Sequence, residues 1–359
     1  MSAKASLFEQ VHRSISKRIL GGSLSAGDML PREEDLCLEF KVSRVTVRKA
    51  LDLLKKEGLI TSKKRLGTVV VYRGSKRSNI AGIVVPNSWQ SLYAGVVHSL
   101  ERTLASKNID LMLKNSSNDP HKEREGIASI LRRKADVLVL VWDKRSCENM
   151  AVIRDASRRI PIIIIDAYFP DMHADHIASD HRAGAQLAVK HLIAAGARKL
   201  LHIRGTRGVW SADEREAGFI DACRDAGISG KNSAVILGHF DEKSAARAFT
   251  RYLGSGGIVP DGVFATTDMT AFAAMNVLSE KGISTPNDVR IIGFGNDHGV
   301  QREAYGISTV DQHPDILGAA VAKRCIERMN GCFASKEMTL LPVSVIERRS
   351  SVPDERQAS

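Results

Sequence analysis

Two arginines stand one helical turn apart in a short basic stretch of the chain. The stretch runs from Val42 to Gly58 and has the sequence VSRVTVRKALDLLKKEG. Apolar residues recur in it at helical spacing and predict a packed face, formed by Val47, Ala50, Leu51 and Leu54. Arg44 and Arg48 are four residues apart, so they lie together on another face of that helix, and Ser43 can cap its first turn. Arginine matches the two acceptors of a guanine edge and also binds phosphate. An ordinary solvated helix face would carry the same charges, so the stretch alone leaves both interpretations open.

The residues around this stretch predict two more helices and a hairpin. Apolar residues at steps of three and four predict a first helix from Phe8 to Ile19, and Pro31 precedes a second one over Glu33 to Phe40. Beyond Gly58, two short apolar runs predict strands joined by a basic loop that carries Lys63, Lys64 and Arg65. Three helices and a basic hairpin are typical of a winged helix-turn-helix, in which the hairpin touches the DNA backbone or the minor groove.

At this point the residues resemble a known family. GDMLPREEDLCLEFKVSRVTVRKALDLLKKEGLI, followed by LGTVV, resembles the DNA-binding domain of the GntR family of bacterial transcription regulators, over roughly residues 7 to 72. The resemblance implies DNA contacts from Arg44, Thr46, Arg48 and the wing around Gly67, with Ser43 beside them. We therefore expect double-stranded operator DNA as a partner.

The chain departs from the family pattern at two positions. The family has Ser-Glu-Arg after Leu-Pro, and that arginine contacts DNA, whereas this chain has Arg32-Glu33-Glu34. Arg32 is the expected substitute. The wing has Arg65 where the family has a glycine, so we expect Lys64 and Arg65 to make its tip more basic.

The positive charge of the chain is concentrated at its N-terminus. Residues 1–79 contain 17 Lys and Arg against 8 Asp and Glu, a net charge of +9, while the other 280 residues contain 35 against 33, a net charge of +2. This uneven distribution indicates a polyanion-binding domain attached to a nearly neutral remainder.

The same composition bounds the compartment and the chemistry. Met1 to Ser6 lead directly into an amphipathic helix, and no apolar run approaches ~20 residues, so we expect neither an export signal nor a membrane span. The five cysteines are scattered and form no CxxC pair, which favours reduced thiols in a cytoplasmic protein. We expect no metal and no cofactor.

The remainder of the chain alternates short apolar runs with helical patterns. Continuous rather than alternating hydrophobicity indicates strands covered on both faces, as in parallel sheets wrapped by helices. The runs lie at residues 80–86, 110–114, 135–141, 160–166, 199–205, 234–239, 262–268 and 289–295. Nine or so strands exceed one compact sheet, so the predicted fold class is α/β, with two stacked subdomains behind the winged helix. The expected domains are residues 1–72 and 80–350, with a linker at 73–79 and a disordered tail at 351–359.

This remainder resembles the effector domain of the LacI/GalR repressors, which is similar to periplasmic sugar-binding proteins. The resemblance covers about residues 80 to 350 and rests on GAQLAVKHLIAAGARKLLHIRG, ERxAGF, ATTDMTAFAAM, IIGFG, ISTVDQ and LLPVSVIERRSS. It implies a small polar effector, a sugar or sugar derivative, bound beyond the carboxyl ends of the strands. The implied ligand contacts are Trp89, Tyr93, Asp166, Arg215, Phe240, Thr267, Asp268 and Asn296.

A departure concerns the ligand. The LacI/GalR family has GYDD or GFDD where this chain has Gly293-Phe294-Gly295-Asn296, so the first aspartate is replaced by Gly295. Its role passes to Asn296 or Asp297, or the ligand differs from a typical sugar. Joining a GntR-type domain to a LacI-type sensor resembles the arabinose-repressor kind of regulator.

Three functions compete at this stage. A ligand-responsive repressor, acting as a homodimer on a palindromic operator, agrees best with the two resemblances. An α/β enzyme is the first alternative, but the sequence lacks a G-x-S-x-G elbow, a phosphate-binding G-x-x-x-x-G-K-[ST] loop and metal-spaced histidines. His181, His191, His202 and His298 are dispersed, and we expect them to be structural or solvated. A plain solute-binding protein is the second alternative, opposed by the basic N-terminal domain.

Overall fold

A computed structural model of the chain contains a small helical unit with a two-stranded sheet and two six-stranded sheets with their helices. The structure describes residues 6–21, 23–24, 28–63, 67–70, 78–88, 90–141, 144–172, 174–228, 230–256, 258–297, 306–330 and 338–352. Of the predicted site residues, Lys64, Arg65 and Trp89 lie outside the described residues, as does most of the expected linker.

The N-terminal segment folds as the predicted winged helix. Its elements are α1 (Leu7–Leu20), α2 (Glu33–Phe40), α3 (Arg44–Lys56), β1 (Ile60–Lys63) and β2 (Gly67–Val70). The Ser43 hydroxyl caps α3 by accepting the amide proton of Thr46 at 3.3 Å, and Gly58 follows the helix at a φ of +71°. β1 and β2 pair antiparallel, and apolar residues of all three helices form the core beneath them.

The following residues build a first parallel sheet. Its strands are β3 (Ile80–Val85), β4 (Asp110–Asn115), β5 (Val137–Val141), β6 (Ile162–Ile165), β7 (Asp175–Ser179) and β13 (Met338–Leu341), in the order β13-β7-β6-β5-β3-β4. Its helices are α4 (Ser91–Ala105), α5 (Pro120–Arg132), α6 (Met150–Ala156) and α11 (Pro314–Met329). Two apolar clusters cover its two faces, which explains the uninterrupted apolar strands.

A second sheet has the same layered design. Its strands are β8 (Leu200–Arg204), β9 (Ser233–Leu237), β10 (Gly262–Ala265), β11 (Arg290–Phe294), β12 (Ser308–Asp311) and β14 (Ser344–Ile346), in the order β14-β12-β11-β10-β8-β9. Among the described strands of this second sheet, only β12 and β14 pair antiparallel. Its helices are α7 (His181–Ala194), α8 (Trp210–Asp225), α9 (Glu242–Gly254) and α10 (Asp268–Glu280). The two sheets confirm the predicted pair of α/β subdomains.

The chain passes between the two sheets at three places. It leaves the first sheet after β7, returns to it after β12 to form α11 and β13, and crosses again from β13 to β14. The crossings are bonded to each other, because Gln312 donates to the Ser179 hydroxyl at 3.1 Å and the amide of Asp180 donates to the carbonyl of Leu341 at 2.8 Å. These bonds hold the strand ends of both sheets around one cleft.

The C-terminal end requires a correction of the expected tail. Ser351 is fully buried, and its hydroxyl bonds to the hydroxyl of Ser308 and to a ring nitrogen of His191, each at 2.6 Å. The packed chain therefore includes residue 351, because buried hydroxyls there complete hydrogen bonds of the second sheet. Residues 353–359 lie outside the described part. Among the helices that the structure describes, none is long and apolar enough to cross a membrane.

Candidate functional site

The first candidate site is the exposed face of α3. The side chains of Arg44 and Arg48 are 59% and 65% exposed and project from the first two turns, while Val47 on the opposite side is fully buried. Val45 lies between them and is 64% exposed, which is unusual for a large apolar residue. This face has the size and charge to enter a major groove.

Both arginines are paired with carboxylates of α2. The Nε of Arg48 donates to Glu33 at 2.9 Å, and Arg44 is bonded to Glu34. Glu34 occupies the position at which the GntR pattern has a DNA-contacting arginine, whereas Glu33 matches the glutamate of that pattern. The sequence did not reveal the pairing, since the partners lie 10 and 15 residues apart on different helices.

The remaining predicted DNA contacts surround this face. Arg32 is exposed at the start of α2, where its amide donates to Asp35 at 3.1 Å. The Thr46 hydroxyl bonds to that of Ser43 at 2.9 Å, so both hydroxyls belong to the α3 cap. Gly67 begins β2 at a φ of +101°, a conformation that favours glycine.

The second candidate site lies at the carboxyl ends of the strands, between the two sheets. Asp166 follows β6 at a φ of +56°, and its side chain is 10% exposed. Its Oδ1 accepts from the amide of Ser179 at 3.4 Å and lies 3.2 Å from Nε2 of His181. Burial by itself raises the pKa of this carboxyl, but His181, Arg215 and the Ser179 amide together hold the pKa below its usual value.

His181 connects Asp166 to Arg215. It begins α7, on the far side of the first crossing, and its side chain is fully buried. Its Nδ1 lies 3.2 Å from Nη2 and 3.4 Å from Nε of Arg215. An arginine can only donate, so Nδ1 accepts and the proton sits on Nε2, which donates to Asp166. Burial and the Arg215 charge lower the pKa of His181, and the neutral ring is the form that can bridge the two groups.

Arg215 forms the other end of this connection. It lies on α8, is 6% exposed, and donates from Nη1 to the carbonyl of Thr266 at 2.5 Å. Its guanidinium carbon is 3.8 Å from the centre of the Phe294 ring, a cation–π contact. Burial lowers the pKa of Arg215 to about 10, against the opposing effect of Asp166, so the group stays charged at neutral pH. The structure thus brings Asp166 and Arg215 together, as the sequence predicts.

Asp268 has a different environment. It is 3% exposed, and its carboxylate accepts from the Thr309 hydroxyl at 2.6 Å and from the amide of Asp297 at 2.7 Å. Burial raises the pKa of Asp268 to about 6 in spite of these bonds. Its oxygens fasten the loop after β11 to the start of α10. Gly293 has no room for a Cβ because Asp268 lies beside it, with the nearest oxygen at 2.2 Å from such an atom.

Other predicted ligand contacts are distributed around the cleft. Tyr93 is half-buried in the first turn of α4. Phe240 packs over Gly205, at the end of β8. Thr267 caps α10 through the amide of Thr270. The side-chain oxygen of Asn296 accepts from Arg348 at 2.9 Å, so this amide is held toward the second sheet.

Sequence reasoning missed His181 and two aromatic residues. We expected His181 to be structural or solvated, and its observed role is structural: it bridges Asp166 and Arg215, because the first crossing brings the start of α7 to the end of β6. Trp210 and Phe294 flank its ring, with centroids at 5.5 and 5.7 Å. The signal was the position of His181 directly after a strand and a helix cap. The described residues contain no group of three or more His, Cys, Asp or Glu side chains that could hold a metal ion.

Comparisons with known proteins match the two parts of the chain to known domains. Residues 7–70 match the model for bacterial regulatory proteins of the gntR family, and residues 189–351 match a periplasmic binding protein-like domain. The chain joins a GntR-type DNA-binding domain to a LacI-type sensor. It is therefore a ligand-responsive, DNA-binding transcription regulator.

Individual relatives cover most of this regulator. The HTH-type transcriptional repressor PurR of Haemophilus influenzae is 27% identical over 248 residues, 69% of this chain and 73% of that protein. A periplasmic binding protein/LacI transcriptional regulator from Alkaliphilus metalliredigens, complexed with D-xylulofuranose, has a TM-score of 0.64 at 23% identity and covers 76% of this chain and 99% of its own. A lac repressor dimer bound to operator and the anti-inducer ONPF has a TM-score of 0.66 at 19% identity, covering 77% and 96%. The structural likenesses establish the fold of the sensor.

Proposed function

We propose that this regulator is a homodimeric repressor that binds paired half-sites through α3 and senses a sugar or sugar derivative in the cleft. In this proposal residues 1–72 contact operator DNA and residues 80–350 bind the effector and hold the dimer together. The similarity to a repressor, to a xylulofuranose-bound regulator and to a repressor dimer on its operator supports each of these parts.

The observation that carries the proposal is the hydrogen-bonded series Asp166–His181–Arg215. Asp166 follows a strand of the first sheet, whereas Arg215 lies on a helix of the second subdomain. A ligand that accepts from Arg215 and donates to Asp166 contacts both subdomains at once. Such a ligand prefers one relative arrangement of the subdomains, and only this differential affinity can shift the equilibrium that controls DNA binding.

The residues around this series favour a polyhydroxylated ligand. The carboxylate accepts hydroxyl protons, the guanidinium donates several hydrogen bonds, and an aromatic ring can cover an apolar sugar face. Tyr93 and Phe240 are the described aromatic residues that we assign to this last role. Arg215 also suits an anionic derivative such as a sugar acid or sugar phosphate.

A thermal-shift screen of sugars, sugar acids and sugar phosphates tests the ligand class. At about a hundredfold over its Kd, a ligand adds roughly 2.7 kcal/mol to the free energy of unfolding. We expect Asp166→Asn and Arg215→Ala to abolish this gain, and Asp155→Asn, which changes an exposed carboxylate on α6, to retain it. If the first two variants keep the full response, the ligand binds elsewhere.

Electrophoretic mobility shift on DNA from the regulator's own upstream region tests the DNA-binding part. We expect Arg48→Ala to weaken binding by about 1–3 kcal/mol and to relax the preference for one base pair of each half-site. Arg13→Ala removes an exposed positive charge from α1 and should weaken binding without altering base preference. Equal losses with unchanged preference in both variants would show that Arg48 contacts only the backbone.

A further inference from the structure

The amino-terminal turn of α2 carries negative charge on the surface that must approach DNA. Glu33, Glu34 and Asp35 are consecutive there, and Glu33 and Glu34 are 37% and 68% exposed. In a helix-turn-helix the first helix crosses the phosphate backbone. Carboxylates at this position repel phosphates, so α2 is unsuited to holding the backbone.

The two glutamates instead hold the two arginines of α3, one each. Glu33 accepts a hydrogen bond from Arg48, and Glu34 accepts one from Arg44, so each glutamate has its own arginine partner. An arginine in such a pair presents little net charge to an approaching phosphate. One N–H group of each guanidinium is also engaged by the carboxylate, and the planar edge to which that group belongs is the part that recognises guanine.

We propose that Glu33 and Glu34 determine specificity by withholding Arg44 and Arg48 from phosphates until a matching base edge replaces the carboxylate. This inference rests on the proposed contact of α3 with bases. Glu33 and Glu34 are positioning residues, since they act through the arginines. Exposed ion pairs are weak, which is what such an exchange requires.

The arginines meet different partners on non-specific DNA and on the operator. On non-specific DNA a phosphate that approaches either arginine also approaches its glutamate, and the repulsion between the two negative charges offsets the new contact, so the arginines stay with their glutamates. On the operator, a guanine offers two acceptors to one guanidinium and replaces the carboxylate fully. The glutamates therefore weaken non-specific binding more than specific binding.

Glutamine substitutions give the test, because they keep the shape of the side chain and remove its charge. The full-length chain is first used to select its preferred sequence from random duplexes. Binding of E33Q, E34Q and the double variant is then measured on that sequence and on a scrambled duplex across a range of salt concentrations. E39Q is the matched control, since it removes one charge from α2 and breaks a surface pair with Arg18, which is not on α3.

Two freed arginines should show clearly in non-specific binding. Each new phosphate contact adds about 0.9 to the salt slope, which corresponds to about eightfold in affinity at 0.1 M salt. For each protomer on the DNA, we expect the double variant to gain about 60-fold in affinity for scrambled DNA, with a slope steeper by about 1.8. Operator affinity should rise only about tenfold for each protomer, because removing each weak pair contributes a few-fold. The ratio of specific to non-specific binding then falls about sixfold for each protomer, with the preferred sequence unchanged.

Each other result overturns the inference in a distinct way. If the double variant behaves like E39Q in both affinity and slope, the carboxylates only stabilise the positive end of α2. Should operator affinity fall and the preference at one C·G pair relax, a glutamate itself contacts a cytosine. If no sequence is selected at all, the proposed DNA function fails instead, and the glutamates are not implicated.

Discussion

Replacing His181 by phenylalanine tests the bond series across the cleft. Phenylalanine keeps a ring between Trp210 and Phe294 but has neither nitrogen, so Asp166 loses a donor and Arg215 loses an acceptor. Each lost bond involves a charged group and is worth about 1.5–3 kcal/mol. The apolar phenyl ring does not carry the desolvation cost of a buried imidazole, which offsets the loss by about 1–3 kcal/mol. We therefore expect the free energy of unfolding to fall by about 2–4 kcal/mol at pH 7.5.

The pH dependence gives a second, independent signal from the same variant. Burial and the charge of Arg215 lower the pKa of His181 in the folded protein, with Asp166 opposing them. The unfolded imidazole titrates near pH 6.5, so unfolding below that pH takes up a proton. The contribution of His181 is thus fully present above about pH 6.5 and is lost as the pH falls, by up to about 1.4 kcal/mol per pH unit until the folded-state pKa is reached.

Urea unfolding followed by tryptophan fluorescence measures both effects. All three tryptophans lie between residues 89 and 210, outside the winged helix, so the signal reports the sensor domain. The gap between wild type and His181→Phe should narrow by up to about 1.4 kcal/mol between pH 6.5 and 5.5. The control His181→Gln can donate to Asp166 and accept from Arg215 but does not titrate, so it should keep most of the stability and lack the pH effect. If His181→Phe is as stable as the wild type at pH 7.5, and the difference between the two proteins does not change with pH, the bridging role of His181 is refuted.

Two further predictions concern packing and buried charge in the first subdomain. Gly318→Ala should lower the free energy of unfolding by about 1–3 kcal/mol, because the new Cβ would lie 2.5 Å from the carbonyl oxygen of Val96. In the control Gly254→Ala, the new Cβ meets nothing within 4 Å, so thermal unfolding should show a neutral or slightly stabilising effect. Asp175→Asn should lower the free energy of unfolding by about 3–5 kcal/mol, because it leaves the buried guanidinium of Arg328 without its carboxylate. The control Asp155→Asn changes an exposed ion pair and should lower it by less than about 1 kcal/mol. Equal losses within either pair of variants would contradict the packing or charge argument for that pair.

Among the α/β strands that the sequence predicted, those in the middle of each sheet are buried on both faces, whereas the edge strands β4 and β9 are only partly buried. β5 and β6 consist entirely of valine, leucine and isoleucine, and both are fully buried. β7 was missed because it begins Asp175-His176, and its carboxylate is tolerated only because Arg324 and Arg328 bond to it at 2.5 to 2.6 Å. Those partners come from α11, about 150 residues later in the chain, so no local pattern indicates them. β12, β13 and β14 were also missed, because each is short and contains serine or threonine, so none of them is a continuous apolar run.

For the candidate sites, too, the sequence predicted which region of the chain is involved but not how its side chains are bonded. The resemblance to the LacI/GalR effector domain pointed to Asp166 and Arg215, and in the structure the ring of His181 lies between them. Their connection depends on where the first crossing puts His181, which is a property of the tertiary fold. Asp268 was expected to face a ligand, yet its oxygens bond to Thr309 and to the amide of Asp297. Residue type and position identified the region, whereas the direction of each polar group required long-range contacts.

The two sites share a feature that affects how each discriminates among ligands. At both, the groups expected to recognise a partner are already bonded within the protein: Arg44 and Arg48 to carboxylates, and Arg215 to His181 and a carbonyl. Binding at either site is then an exchange of one set of hydrogen bonds for another. A partner that replaces only some of them leaves a polar group unsatisfied.

The cost of an incomplete exchange differs between the sites because their burial differs. The α3 arginines are more than half exposed, so water can complete part of what DNA does not, and a mismatch there costs no more than one base contact, about 1–3 kcal/mol. Arg215 is 6% exposed, and a buried charge that loses a partner costs several kcal/mol. The cleft should therefore discriminate sharply between ligands that differ by one hydroxyl, whereas α3 must combine many weak exchanges along two half-sites to reach comparable specificity.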